Sequence, residues 1–265
     1  MLLVVAELDR AIRMAPSSQV VQCRLPPPLD HETRVVRQVL EQIGLLHRIG
    51  ASSQAPSKGD DEYDESVRHW RYATGTRVDE KPGDVLEAHE GRVAPALMQS
   101  MQVGLAEALI NSGHHAYQAD RQDGCAPFRE KRWWMFTHER DGLLTVTVCD
   151  LGIGIPRSLP LTWDRAILKR VGAIFTGVEP QVAAIQMALV LGQSSTGQTH
   201  RGRGLPQIWN ATQASSAGGV GISSGKAYVG FDSATGVAHD MQFKTDIQGT
   251  MISWTFQVEA ADGTG

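Results

Sequence analysis

Residues 132–156, RWWMFTHERDGLLTVTVCDLGIGIP, decide the fold. They contain two strand-like runs, RWWMFTHE and LLTVTVCD, joined by the short turn RDG. Apolar and β-branched residues on both sides of an Asp-Gly turn predict an antiparallel hairpin. The second strand runs directly into D-L-G-I-G-I-P, which begins at Asp150. The sequence therefore predicts a hairpin whose second strand leads directly into a glycine-containing turn.

Helical and strand patterns flank this hairpin in separate groups. A long helix is predicted over 93–119, and two further helices around 163–172 and 180–191. A Gly/Ser/Thr loop, SSTGQTHRGRG, leads into a helical pattern, LPQIWNATQA, and three strand candidates follow, GGVGIS, KAYVGF and GTMISWTFQV. Strands gathered after helices favour an α+β fold over repeated βαβ units, so we predict a two-layer α/β sandwich over 90–259.

The first 89 residues do not fit that domain. The start of the chain reads as a short apolar helix or strand, followed by the strand-like SQVVQCRL and a rigid PPPL stretch. A helix is predicted from Asp30 to about Gly50, then an exposed acidic connection, ASSQAPSKGDDEYDE, and a strand within HWRYATGTRVD. We predict an N-terminal α/β extension of unknown function over 1–89 and a tail over 260–265.

Composition excludes several classes of protein. The 265 residues carry 25 Lys and Arg against 29 Asp and Glu, a net charge of −4, which argues against a broad footprint on nucleic acid or an anionic membrane. The three cysteines form no CxxC pair, so neither a disulfide framework nor a zinc site is indicated. No apolar run approaches the roughly 20 residues of a membrane helix. The first residues, MLLVVAELDRAIRM, lack a basic region before the apolar one, unlike a secretory signal. We expect a soluble, cytoplasmic protein.

The first motif is EALINSGHH, which starts at Glu107. On a helix, Glu107, Asn111 and His115 are four residues apart and share one face, which presents a carboxylate, an amide and an imidazole together. Four apolar residues follow a roughly opposite stripe: Leu97, Met101, Leu105 and Leu109. An ordinary amphipathic helix with a polar solvent face would give the same pattern.

The second motif is the turn DLGIGI, in which Asp150 leaves a strand end. Its carboxylate can accept a hydrogen bond from an exocyclic amine such as that of adenine. Gly152 and Gly154 have no Cβ and would let the backbone approach a planar ring closely. A plain D-x-G turn is the alternative. The dinucleotide fingerprint is excluded, because its third glycine is missing and the preceding hairpin is predicted to be antiparallel.

The third motif is SSTGQTHRGRGLP, a flexible loop that ends at Gly202 and Gly204 and runs into a helix. Free backbone N–H groups at a helix start, with Arg201 and Arg203 beside them, are typical of an anion site. A mobile loop with a helix cap is the alternative. A P-loop is excluded because GxxxxGK[ST] does not occur. A fourth segment, Gly249-Thr250, begins the final strand. A Gly-Thr pair is common at strand starts, so it is informative only because it follows the other three motifs in order.

These four segments, in this order, resemble the ATP-binding domain of the GHKL superfamily (the Bergerat fold), which spans gyrase, heat-shock chaperone, histidine kinase and MutL-type ATPases. Glu107–Asn111 is similar to the N box, DLGIGI to the G1 box, HRGRGL to the G2 box and Gly249-Thr250 to the G3 region. The resemblance covers about residues 90–259. It implies a two-layer sandwich with a mixed, mostly antiparallel sheet, and it implies ATP and Mg²⁺ as ligands.

The resemblance also implies roles for single residues. Glu107 would polarise the attacking water as a general base and would contact the metal indirectly, and Asn111 would hold Mg²⁺. Asp150 would accept from the adenine amino group, with Thr250 beside it through a water. Gly152 and Gly154 would pass under the base.

The lid over the phosphates would come from the third motif, through Ser195, Thr196, Arg201, Gly202, Arg203 and Gly204. Ile155 and Leu205, which end the G1-like and G2-like segments, would also belong to the nucleotide site. His115 would lie near the phosphates or would be a structural histidine, and the sequence leaves both open. The G2-like segment ends GLP instead of the commoner GLG, so phosphate binding there can differ.

The N-box-like segment EALINSGHHAYQ resembles most closely that of the anti-sigma serine kinases, E-A-x-x-N-A-x-x-H-x-Y. Histidine autophosphorylation is not expected, because His47 in LLHRIG lacks the context of a phosphoacceptor. The resemblance implies a Mg-ATP-dependent ATPase or protein serine kinase in signalling, with a protein partner and a homodimer as possible assemblies. Two alternatives stay open: a nucleotide-gated interaction switch without useful turnover, and a degenerate member that no longer binds nucleotide.

Overall fold

One antiparallel sheet organises the computed structural model. The model describes residues 1–16, 27, 30–49, 63–64, 67, 70–77, 83–87, 89, 92–124, 130–194, 204–213 and 218–258. The strands within these ranges are β1 (Arg71–Gly75), β2 (Trp133–Arg140), β3 (Leu143–Asp150), β4 (Gly218–Ser224), β5 (Ala227–Asp232), β6 (Val237–Gln242) and β7 (Thr250–Gln257). Their order across the sheet is β1-β2-β3-β7-β4-β5-β6.

The predicted hairpin is confirmed as β2 and β3, which pair from Trp133↔Asp150 to Arg140↔Leu143. Its two turn residues, Asp141 and Gly142, both have positive φ (53° and 72°), as a two-residue turn between twisted strands requires. Every pairing among the described strands is antiparallel. The α+β prediction is therefore confirmed, whereas the parallel component of the predicted mixed sheet is not seen in the described residues.

The helices of the described ranges are α1 (Leu2–Met14), α2 (His31–Gln42), α3 (Leu45–Arg48), α4 (Gly83–Glu87), α5 (Pro95–Asn111), α6 (Ile155–Thr162), α7 (Arg165–Gly172), α8 (Pro180–Ser194) and α9 (Gly204–Gln213). The helix predicted over 93–119 is shorter than expected, because α5 ends at Asn111 and continues as one π-helical turn, Ser112–Ala116. The helix predicted from Asp30 to Gly50 is broken into α2 and α3 at Ile43 and Gly44. The strand predicted within SQVVQCRL lies outside the described residues.

Three elements were not predicted: strand β6 and the helices α4 and α6. Strand β6, VAHDMQ, lacks an alternating apolar pattern because all six of its residues are exposed. Helix α6 begins at Ile155 directly after the glycine-containing turn and contains Pro160 near its end, so the sequence pattern there favours a turn.

Helices α5, α8 and α9 cover one face of the sheet. The predicted apolar stripe of α5 is confirmed, since Met101, Leu105 and Leu109 are 1–3% exposed, and its fourth residue, Leu97, is partly buried against the same cluster. They pack with Ile185 of α8 and with Trp254 of β7 in the largest apolar cluster of the described chain. Burying a side chain of this size stabilises the fold by about 1.5–3 kcal/mol, so this layer holds α5 against the sheet.

Helix α1 covers the opposite face over β2 and β3. Leu2 and Ala6 pack against Trp134 and Cys149. The indole N–H of Trp134 donates to the buried carboxylate of Asp9 at 3.0 Å. Strand β1 joins the same sheet although it precedes residue 90. Among the described helices, none is by itself both long enough and apolar enough to cross a membrane.

Candidate functional site

Asp150 lies at the end of β3 with its carboxylate buried. One oxygen, Oδ1, accepts from the backbone N–H of Gly152 at 2.9 Å and of Thr250 at 3.3 Å. The other oxygen, Oδ2, has no hydrogen-bond partner among the described residues. Burial raises the pKa of Asp150 to about 6, against the opposing effect of the two N–H donors. At neutral pH the group is therefore ionised in the main, at an energetic cost, with one oxygen left to accept a hydrogen bond.

The turn after Asp150 is held against the end of α5. The backbone N–H of Ile153 donates to the carbonyl of Ala116 at 2.7 Å. A Cβ at Gly152 would lie 2.1 Å from the same carbonyl oxygen, so only glycine fits there. The hydroxyl of Tyr117 accepts from the N–H of Leu151 at 3.2 Å and donates to the carbonyl of Arg132. The π-helical turn thus fixes the position of the loop that carries Asp150.

A second set of contacts joins this loop to β4 and β7. The Oγ of the fully buried Ser224 accepts from the N–H of Ile155 at 2.7 Å and lies 2.9 Å from the Oγ1 of Thr250. A Cβ at Gly154 would lie 2.9 Å from that Oγ. A Cβ at Gly249 would lie 2.2 Å from the carbonyl oxygen of Asp150. The glycines of the motifs are therefore required by the protein's own backbone and hydroxyl groups, and their predicted role under a base stays a prediction.

Glu107 and Asn111 lie one turn apart on the part of α5 that is not fully buried. Neither side chain has a hydrogen-bond partner among the described residues. Burial raises the pKa of Glu107, which makes its carboxylate a stronger base than a solvated one. His115 follows in the π-helical turn, where its Nδ1 lies 3.4 Å from the Oγ1 of Thr162 on α6. That contact fits a structural histidine, while a role near phosphates stays a prediction.

The side chains on α5 fit a Mg²⁺ ion that is bound partly by the protein and partly by phosphate and water, and not one enclosed by protein ligands alone. Within the described ranges, His, Cys, Asp and Glu form no group of three or more that could hold a metal ion. The amide of Asn111 and the carboxylate of Glu107 supply hard oxygen donors without a protein partner. Mg²⁺ characteristically takes only one or two protein ligands and completes its shell with phosphate oxygens and water.

The third motif is only partly visible. Ser195, Thr196, Arg201, Gly202 and Arg203 lie outside the described residues, so their predicted role in a lid stays a prediction. Gly204 is the first residue of α9, one residue before the start of the predicted helix LPQIWNATQA. Leu205 is half-buried against the main apolar cluster, as is Ile155 at the start of α6. Both side chains contribute to packing near the site.

Sequence reasoning missed Ser224 and Tyr117 as parts of this site. Ser224 carries no local signal, because its role depends on the register that places it opposite Thr250 in the β4–β7 pairing. Tyr117 was visible as the last residue of the H-x-Y pattern, but the pattern did not show that its hydroxyl joins the Asp150 loop to β2. Sequence order alone did not connect these positions.

Comparison with known proteins adds no family to this description. A scan with models of protein families and a search of curated protein sequences both gave no significant match. The resemblance to the GHKL superfamily therefore rests on the four motifs and on their order along the chain.

Proposed function

We propose that the chain binds Mg-ATP beside α5, where β3 and β4 end and β7 begins, and that it is an ATPase or protein serine kinase in signalling. The observation that carries the proposal is the carboxylate of Asp150, which is buried, ionised in the main at neutral pH and left with one unpartnered oxygen among the described residues. Two backbone N–H groups stabilise Oδ1, but Oδ2 has no such donor among the described residues, and burying an ionised carboxylate with half of its acceptors unused is unfavourable for the fold.

An adenine ring satisfies this oxygen. The exocyclic amine of the base would donate to Oδ2 of Asp150, while Oδ1 keeps its two backbone donors. The Oγ1 of Thr250 lies in the same register position across β3 and β7, and a water between it and the base would give a second polar contact. A carboxylate fixed in this way discriminates for an amine and against a carbonyl, since two facing acceptors repel.

The phosphates would then extend toward α5. Asn111 would hold Mg²⁺ together with phosphate oxygens, and the metal supplies charge neutralisation when bound. Glu107 would take the proton of the attacking water, or of a serine hydroxyl on a protein partner, as the oxygen bonds to the γ-phosphorus. The bond from that phosphorus to the β,γ-bridging oxygen breaks, and ADP leaves. The raised pKa of Glu107 supports the role of base.

Calorimetric titration with Mg-ATP tests the binding proposal. The parent should bind ATP, and Asp150→Asn should lose binding, since its amide would turn N–H donors toward the amine. Asp141→Asn is the matched control, because Asp141 lies at the opposite end of the same hairpin with an 83% exposed side chain. Absence of ATP binding by a folded parent, or equal losses in both variants, would contradict the proposal.

Turnover is tested separately with Glu107→Gln. We expect hydrolysis or phosphotransfer to fall by about 100-fold or more, the usual contribution of a general base, while ATP affinity stays within a few fold. Glu32→Gln, on the exposed first turn of α2, is the control for loss of a carboxylate. If the parent binds ATP and shows no turnover that depends on Glu107, the nucleotide-gated switch replaces the enzyme as the function.

A further inference from the structure

Strand β6 forms one outer edge of the sheet and is exposed along its whole length. No described strand pairs with its outer side, and all six of its residues are exposed. Edge strands are usually protected from pairing by short length, by charged residues (Lys above all), by Pro, by a bulge or by a covering segment. The segment VAHDMQ has no Lys and no Pro, its one carboxylate is Asp240, and it pairs with β5 without interruption from Asp232↔Val237 to Ala227↔Gln242. Among the described residues nothing pairs with this edge, so a further strand can be added there.

The register with β5 shows which backbone groups point outward. The N–H of Phe243 donates to the carbonyl of Lys226 at 2.6 Å, next to the last strand pair. Hydrogen-bonded and non-bonded pairs alternate along antiparallel strands, so Val237, His239 and Met241 direct their backbone groups toward β5. Ala238, Asp240 and Gln242 direct theirs to the outer edge.

The side chains of β6 divide between the two faces of the sheet. Ala238 and Asp240 lie opposite Phe231 and Val229, which belong to the main apolar cluster under the helices. Gln242 lies on that side too, and its amide donates to Glu179 beside α8 at 3.0 Å. The alternation places Val237, His239 and Met241 on the other face, where Val237 is 45% and Met241 52% exposed.

We propose that two copies of this chain associate through β6, pairing antiparallel about a two-fold axis at His239. In this register Val237 lies opposite Met241 of the second copy, and Ala238 lies opposite Asp240 of the second copy. The backbone groups of Ala238 and Asp240 point to the outer edge, so an Ala238–Asp240 pair across the interface exchanges two backbone hydrogen bonds. The two-fold axis generates a second, identical pair. The two sheets become one continuous sheet across the interface.

The spacing along β6 selects a second copy as the occupant. Its two large exposed apolar residues lie two positions on either side of His239, so a two-fold axis brings each onto the other. Two other symmetric registers would also match outward backbone groups. One is centred on Ala238 and would place Val237 opposite His239 of the second copy, which loses the apolar pair. The other is centred on Asp240. It would place Asp240 directly opposite Asp240 of the second copy, and like charges in that position are destabilising.

The interface is small and independent of the proposed nucleotide site. One six-residue strand from each copy falls below about 1,200 Å² of buried surface, the range of weak and transient interfaces. The dimer is therefore reversible and depends on concentration. None of the residues assigned to ATP or Mg²⁺ lies on β6.

Sedimentation velocity over protein concentrations from about 1 μM to about 1 mM tests the association, since this range covers the corresponding dissociation constants. The parent should shift from monomer to dimer within it. Ala238→Pro should stay monomeric, because it removes an outward N–H without touching a bond to β5. Ala238→Val keeps that N–H and is the matched control. A parent that is monomeric throughout, or an Ala238→Pro variant that dimerises like the parent, overturns the proposal.

Cysteine crosslinking tests the register and does not depend on the proline variant. In a background of Cys23→Ser and Cys125→Ser, His239→Cys should form a disulfide between copies under oxidation. Directly opposed non-bonded residues have Cα atoms about 4.5 Å apart, within disulfide range. Val237→Cys alone should not crosslink, because its two copies would be roughly 14 Å apart. The double variant Val237→Cys/Met241→Cys should crosslink. Crosslinking by Val237→Cys alone, or none by His239→Cys, overturns this register.

Discussion

The two ends of strand β3 carry the same residue types in opposite surroundings. At the turn end, the side chain of Asp141 is 83% exposed, and nothing lies within 4 Å of a Cβ placed on Gly142. At the site end, Asp150 is buried, and a Cβ on Gly249 would lie 2.2 Å from the carbonyl oxygen of Asp150. The turn end uses glycine for its conformation alone. The site end uses it for conformation and for space, around a charge whose burial costs stability.

The largest effect should come from filling the crowded end. Gly249→Ala meets both a positive φ of 144° and a backbone oxygen at 2.2 Å, so we expect a loss of about 3 kcal/mol or more in the free energy of unfolding. ATP binding should be lost with it. Gly142→Ala has a positive φ of 72° and open space, and should cost about 1 kcal/mol. Urea denaturation measures both.

The difference between these two variants isolates crowding from backbone conformation. If Gly249→Ala is no more destabilised than Gly142→Ala, then Gly249 does not lie in close contact with the carbonyl oxygen of Asp150. The site would then lack the fixed geometry on which the adenine contact depends.

The second effect runs in the opposite direction, toward greater stability. Burial raises the pKa of Asp150 from its ordinary 3.8 to about 6. Titration of this group therefore favours the folded state fully below pH 3.8, and that contribution to the free energy of unfolding is lost as the pH rises through about 6. Full ionisation costs about 3 kcal/mol by linkage. Asp150→Asn should therefore be more stable than the parent by about 2 kcal/mol near pH 8. The gain is less than the full value of about 3 kcal/mol because burying the polar amide is itself unfavourable.

Denaturation at two pH values checks this sign. The stabilisation by Asp150→Asn should shrink toward zero near pH 4, where the parent carboxyl is protonated when folded. Asp141→Asn should change stability by less than about 0.5 kcal/mol at either pH, because the side chain is exposed. A destabilised Asp150→Asn near pH 8 would show that the charge of Asp150 supports the fold and that its burial has no net cost.

The turn end of β3 could be predicted from sequence and the site end only in part. Asp141-Gly142 between alternating residues specifies a hairpin through local chemistry alone. The site end depends on contacts between distant segments, such as Ser224 with Thr250 and Tyr117 with Leu151. The resemblance to the GHKL superfamily implied that Asp150 and Thr250 belong together. It could not supply the register that makes them neighbours.

Strand β6 marks the other limit of sequence-based prediction. A strand buried on one face alternates apolar and polar residues, and β6 is exposed on both faces, so that signal is absent. The π-helical turn after α5 was missed for a related reason. In this turn Ala116 lies against Gly152 and Ile153, a contact between distant segments that local helix propensity does not contain.

The third effect concerns the hydroxyl that joins the strand ends. Ser224→Ala leaves the N–H of Ile155 without its acceptor in a buried site, so we expect a loss of about 1–2 kcal/mol in the free energy of unfolding. ATP affinity should also fall by a few fold, because Thr250 loses its hydrogen-bond partner. Ser223→Ala, one residue earlier on the same strand, is the matched control and should do neither. Equal effects of the two variants would exclude a special role for Ser224.

The smallest effect is the pH dependence of nucleotide affinity, and its sign follows from Asp150. Without nucleotide, Asp150 has a pKa of about 6. A hydrogen bond donated by the adenine amine would lower that pKa in the complex. Protons and the base then compete, so affinity should be flat above about pH 7 and fall up to tenfold per pH unit below about pH 6. Phosphate groups titrate in the same range, so adenosine, which has none, should be titrated alongside ATP. An adenosine affinity that stays constant between about pH 7 and pH 5 would place the base away from Asp150.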